Sequence, residues 1–163
     1  MREILFRGKS IDNGEWVFGD FIHEPYGIVI QYYEDEIKDK GNCAKTGCKK
    51  RIKATVDPKT VCQYTGLTGK NSNKIWENDI TKLVLPDGEV RYFKVSFKKV
   101  IRKVLCHPDF DDDVEKVELN AICFEWNGYE LFPCIDKNGV SDISKMEVIG
   151  NIFDNPELLE VEQ

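Results

Sequence analysis

The chain has 163 residues, 29 acidic against 23 basic side chains, a net charge of −6, and 41% hydrophobic residues. That length fits one domain or two small β units sharing a core. The acid excess argues against whole-surface binding to nucleic acid or anionic membrane, and no apolar run approaches the ~20 residues of a membrane-spanning helix. In chain order, Met1–Arg7 alternates and carries charge, which reads as a first strand and not as a signal peptide. Asp12-Asn13-Gly14 then predicts a hairpin into "EWVFGDFIH", with Trp16, Phe18 and Ile22 on one side and Val17 and Phe21 on the other. "YGIVIQYY" predicts a third strand, and the polar stretch 34–53 a long loop. "VDPKTVCQYTGL" reads as a short turn and a strand, and "NDITKLVLPDGEVRYFKVSF" as strand, turn and strand. "KVIRKVLC" and "VEKVELNAICFEW" continue the meander; Asn127-Gly128 and Asn138-Gly139 mark turns. "MEVIGNIF" predicts a last strand, and "NPELLEVEQ" a short helix or tail.

Six cysteines would pair in a secreted protein, but without an export signal a cytoplasmic chain with reduced thiols is the better expectation. Cys62, Cys123 and Cys134 lie in or beside apolar segments and read as small hydrophobes.

"YTGLTGKNSN", Tyr64–Asn73, combines glycines, a lysine and amides. A nucleotide-hydrolase phosphate loop needs four residues between its glycines, then Lys and Ser or Thr, opening a helix. Here Gly66 and Gly69 enclose only Leu67 and Thr68, Asn71 holds the hydroxyl position, and no helical periodicity follows. A turn uses every residue: Gly66 and Gly69 permit positive φ, while Asn71, Ser72 and Asn73 cap through their side chains.

Three blocks, "FRGKSIDNGEWVFGDFI", "VDPKTVCQYTGLTGKNSNKIWENDI" and "MEVIGNIFDNPELL", occur in an order that resembles the YopX family of phage and prophage proteins. The resemblance implies a phage-borne, cytoplasmic, mainly β protein containing a small SH3-like β-barrel, with no catalytic set to transfer. Its recurrent residues, Trp16, Asp20, Tyr64, Gly66, Gly69, Trp76, Asp79 and Gly150, have structural readings. Trp16, Phe18, Tyr64 and Trp76 are apolar anchors, each contributing about 2–3 kcal/mol if buried. Asp20 and Asp79 stand near turns, where a carboxylate accepts backbone N–H bonds.

Glu15, Asp20, Glu77 and Asp79 offer the alternative of an acid/base set, hence a hydrolase, if they converge. Cys43 and Cys48 have zinc-knuckle spacing, with Cys106 and His107 as the weak further ligands; no cofactor is expected. Asp109, Asp111 and Asp113 alternate like a calcium loop but lack its Gly and Glu. His23 and His107 have no nucleophile motif beside them. Two basic runs, 38–53 and "RYFKVSFKKVIRK", carry Lys49, Lys50, Arg51, Lys98, Lys99 and Arg102, the candidate nucleic-acid contacts. Alternation in the second run assigns Phe93 and Phe97 to the core and Lys94 to solvent.

The expected architecture is an N-terminal β segment, 1–65, carrying the basic cysteine-containing loop 34–53, and an SH3-like barrel with C-terminal tail, 66–163, or one integrated domain of both. The barrel itself is expected from Ile75 to Phe153. The expected function is non-enzymatic binding of another macromolecule, protein or nucleic acid, by a chain that self-associates and does not enter membranes.

Overall fold

The computed structural model describes residues 3–35, 49–105 and 114–162. The protein is mainly β, with two antiparallel sheets and no α-helix among the described residues. The chain divides into two compact units, Met1–Gly66 and Leu67–Gln163.

The first unit contains β1 (Phe6–Lys9), β2 (Trp16–Glu24), β3 (Gly27–Asp35), β4 (Lys49–Thr55) and β5 (Cys62–Thr68), in the order β4-β3-β2-β1-β5. Asp12-Asn13-Gly14 lies in the turn between β1 and β2, but this is not the tight two-residue hairpin. Only Gly14 has positive φ there, at 73°. The Asn13 carboxamide holds the wider loop: Oδ1 accepts the Glu15 N–H at 3.1 Å, and Nδ2 donates to the Glu15 carboxylate at 2.7 Å. Val29, Ile30, Val56, Cys62 and Tyr64 are buried. Arg7 is also buried, its guanidinium 4.6 Å from the centre of the Trp16 ring. The Asp57 carboxylate accepts the Lys59 N–H at 2.9 Å and caps the 3-10 turn Pro58–Thr60 that leads into β5.

Past Gly66, β5 turns into β6 (Lys74–Trp76), and the second sheet follows. Its strands are β7 (Asp79–Val84), β8 (Val90–Leu105), β9 (Val114–Trp126), β10 (Tyr129–Leu131) and β11 (Glu147–Asn151), ordered β10-β9-β8-β7-β11. Asn127 and Gly128 have φ of 46° and 78°, so the β9–β10 turn takes positive φ at both central residues. Ile75, Leu83, Phe93, Val95, Phe124, Ile143 and Met146 form this unit's core. Burial of each large member contributes about 1.5–3 kcal/mol. The Phe93 and Phe124 rings meet edge to face at 6.4 Å.

Three expectations are corrected here. The loop expected over 34–53 is strand at both ends, because Glu34 and Asp35 finish β3 and 49–53 belong to β4, the two paired antiparallel. The sheet is not a closed barrel, because β10 and β11 are its two edges. Phe97 is not core: it is 57% exposed. The reason is strand length. β7 pairs with β8 only from Val90 to Lys94, whereas β9 continues beside β8 to Leu105. Beyond Val95 the two strands form a ribbon, and the apolar alternation outruns the sheet that would cover it. The C-terminal segment, Pro156–Glu162, is a 3-10 run.

Candidate functional site

The stretch Tyr64–Asn73 is a turn only in its second half: Tyr64–Thr68 belongs to β5, and Gly69–Asn73 connects it to β6 with a 3-10 turn at Lys70–Ser72 and no α-helix for a phosphate to cap. Gly66 has φ of 82°, and Asn71 and Ser72 have φ of 60° and 61°. Gly69 departs from expectation, because its φ is −87°. It is glycine for closeness: a Cβ there would lie 2.5 Å from the Met146 carbonyl oxygen. That carbonyl accepts the Lys70 N–H at 2.7 Å, which ties the turn to the segment before β11.

The carboxylates named as an acid/base set divide between the two units. Glu15 and Asp20 are exposed in the first unit. In the second, Glu77 lies in the β6–β7 turn, while Asp79 is fully buried and its Oδ2 accepts the Trp76 N–H at 2.7 Å. The neighbouring Asn78, at φ 64°, donates its N–H to Val95 and accepts that of Ile152. Asp79 therefore builds the turn. Tyr64 and Trp76 are buried, whereas Trp16 is partly exposed and Phe18 largely so, which corrects their reading as equal core anchors. Gly150 lies at a register shift of β11, where a Cβ would meet the Asn155 carboxamide oxygen at 2.5 Å.

The six basic candidates divide between the units. Lys49, Lys50 and Arg51 stand exposed on β4, opposite Asp35, Glu34 and Tyr33. Lys98 and Lys99 on β8 lie 3.2 Å from Glu125 and 3.0 Å from Glu118, and Arg102 donates to the Glu130 carbonyl at 2.6 Å. Arg102 also stacks over the Phe132 ring at 4.7 Å. Lys98 has Glu130 as a second partner at 3.5 Å. The Glu125 carboxyl is raised by burial, but the Ser96 hydroxyl and the charges of Lys98 and Lys94 outweigh that and hold it below the usual glutamate range. Lys98 is raised in turn, chiefly by Glu125. Such exposed or part-exposed pairs stabilise little individually.

Cys43, Cys48, Cys106, His107, Asp109, Asp111 and Asp113 lie outside the described residues. Among the described residues, no group of three or more His, Cys, Asp or Glu is arranged to hold a metal ion. Cys62 and Cys123 are buried, and burial pushes the Cys123 thiol up. Cys134, also read as a small hydrophobe, is exposed.

Its position marks a feature the sequence did not disclose. An apolar cleft of about 170 Å³ opens in the second unit, with Cys134 in its lining. Leu83, Phe93, Phe124 and Met146, all members of the core, line it. Leu131, the last residue of β10, and Phe132 and Pro133 after it also line the cleft. Among the described residues, Arg91 and Asp142 are its only charged lining residues. Arg91 donates two bonds to Glu89, at 2.7 and 3.1 Å, and stacks 4.3 Å from the centre of the Trp126 ring. Asp142 has Lys145 at 3.8 Å, and its N–H donates to the Cys134 carbonyl at 3.0 Å. These residues come from β7 through the 3-10 turn Asp142–Lys145, so no local motif announces them. The lining is predominantly apolar.

The family model described as "YopX protein" matches residues 5–160. No curated relative matches the chain. No helix among the described residues is long and apolar enough to cross a membrane.

Proposed function

The chain belongs to the YopX family, and from that premise we propose that it is a non-enzymatic, phage- or prophage-encoded accessory protein that binds another protein through the cleft of its second unit. It acts in the cytoplasm of the bacterial host. The observation that carries the binding reading is the cleft itself: about 170 Å³, with core aromatics and the exposed Cys134 in its lining. Concave apolar sites with a few polar groups are where partners anchor. Connectivity supports an SH3-like arrangement of this unit. β7 to β10 run as a meander, a 3-10 turn follows at Asp142–Lys145, and β11 returns to pair with β7. Fold alone does not assign function, so the site carries the argument. The ion pairs around Lys98 and Lys99 favour a protein partner over a nucleic acid. Exposed Phe97 and Ile101 on the β8–β9 ribbon support self-association as well.

The test is to pan a random peptide library against the purified chain and re-test every binder against Cys134→Trp, which fills the cleft from an exposed position. Binders lost in the variant support the reading. An enriched set that binds wild type and variant equally, or no enrichment at all, overturns it.

A further inference from the structure

We propose that the first unit binds single-stranded nucleic acid on one face of its sheet, through Phe18, Tyr33 and Arg51. This goes beyond the cleft, which belongs to the second unit. The register brings the three residues together. Asp20 on β2 pairs with Gln31 on β3, and Gln31 pairs in turn with Lys53 on β4. Directly opposed residues share a face, and alternation two residues along puts Phe18, Tyr33 and Arg51 on that same face. Gly19 lets β2 run close to β3, because a Cβ there would collide with the Gln31 carbonyl oxygen.

The exposure of this row points to a ligand. Phe18 is 49% and Tyr33 55% exposed, and Arg51, directly opposite Tyr33, is exposed as well. On the opposite face the same sheet buries Ile30 completely. Trp16 shares the face of Phe18, but the Arg7 guanidinium and the Lys9 ammonium already lie over its ring, at 4.6 and 5.6 Å.

The chemistry of the row selects the occupant. Aromatic rings on neighbouring strands stack unpaired bases, and a guanidinium beside them stacks too or meets phosphate. β4 carries Lys49, Lys50, Arg51 and Lys53 and no acid. Lys53 is held by Glu24 at 2.5 Å, whereas Arg51 stands opposite an aromatic ring and not a carboxylate. Asp20, exposed beside Phe18 on this face, repels phosphate, so the backbone path runs along β4. A duplex keeps its base faces stacked, and an acidic peptide has no flat groups for the two rings. Base faces and phosphates are common to DNA and RNA, so the platform takes both.

Charge along the chain supports the choice of unit. Residues 1–66 carry 11 basic and 10 acidic side chains, whereas residues 67–163 carry 12 and 19. A polyanion is therefore repelled by the second unit and not by the first.

The test is fluorescence anisotropy of labelled oligothymidylate and oligouridylate, about ten nucleotides long, titrated with the full chain from about 50 mM salt upward. Both oligomers are expected to bind the wild type at micromolar protein. Phe18→Leu and Tyr33→Leu keep apolar bulk and lose the ring; each is expected to bind at least about tenfold more weakly, with the salt dependence unchanged. Arg51→Gln is expected to flatten the slope of log K against log salt by about 0.7, one phosphate contact on a single strand. This slope keeps the proposal falsifiable should a Leu variant fail to fold. Cys134→Trp is expected to bind as the wild type does, so this site and the cleft stand or fall separately. No binding of either oligomer overturns the proposal, as do folded Leu variants that bind like the wild type or an Arg51→Gln slope equal to that of the wild type. Binding of one oligomer and not the other overturns the reading of base faces and phosphates alone. A duplex bound as tightly as the single strands overturns the stacking platform, and polyglutamate that competes equally well makes the partner an acidic protein instead.

Discussion

Asp79 and Trp76 close the β6–β7 turn on themselves: the buried Asp79 carboxylate accepts the Trp76 N–H at 2.7 Å. Replacing Asp79 with Ala leaves that buried donor without this acceptor, which costs about 1–3 kcal/mol. Asp79→Asn keeps an acceptor oxygen and loses less. Urea unfolding of the three proteins checks the order; equal midpoints for wild type and Asp79→Ala would show that the bond contributes nothing.

Gly69→Ala is expected to destabilise although Gly69 has an ordinary backbone conformation. The added methyl would sit 2.5 Å from the Met146 carbonyl oxygen, and backbone cannot step aside as a flexible side chain can. Overpacking of this kind costs about 1–3 kcal/mol. Gly139→Ala is the useful contrast, since its methyl meets nothing within 4 Å and the cost comes from φ of 78° alone, about 1–2 kcal/mol. Thermal melts of both variants separate steric from conformational cost. A Gly69→Ala protein that melts with wild type contradicts the close approach.

The ion pair of Glu125 with Lys98 gives stability two pH limits. The Glu125 pKa is lowered on folding, so its contribution is present above the ordinary glutamate pKa and is lost as pH falls through the lowered value, below about pH 4. The Lys98 pKa is raised, so its contribution is present below the ordinary lysine pKa and is lost as pH rises through the raised value, above about pH 10.5. Glu125→Gln is expected to flatten part of the acid slope and to return Lys98 toward its ordinary titration. Denaturant midpoints measured across pH decide it: an acid slope identical in both proteins removes Glu125 as a source.

The exposed ribbon gives a prediction about assembly. Phe97→Ser with Ile101→Ser is expected to weaken self-association without unfolding the sheet, because neither side chain is part of the core. Sedimentation across a concentration series reads this directly. A wild-type chain that stays monomeric at the highest concentration removes the proposal of a homo-oligomer.

Much of the fold was legible because it is written locally. Asn127-Gly128 specifies its own backbone sign, and Asp57-Pro58 carries both the cap and the turn it caps. Non-local facts were not. Whether Phe97 is buried depends on where β7 stops pairing with β8, and nothing near Phe97 records that. Lys98 and Lys99 read as a basic face until β9 and β10 bring Glu118, Glu125 and Glu130 beside them. The cleft was invisible for the same reason. Met146 was read as the start of a strand, yet it follows a 3-10 turn and turns its side chain into the core. Gly69 shows the subtler failure: the turn begins only there, after Tyr64–Thr68 has run as strand, and the reason for the glycine was missed because the clashing carbonyl lies far along the chain.

The cleft is tested most directly by calorimetric titration of a library-selected peptide into wild type and Cys134→Trp at several temperatures. The account predicts a negative heat-capacity change for wild type, the mark of apolar burial, and at least about tenfold weaker binding by a variant that melts normally. Equal affinity and equal heat-capacity change in the two proteins would contradict it.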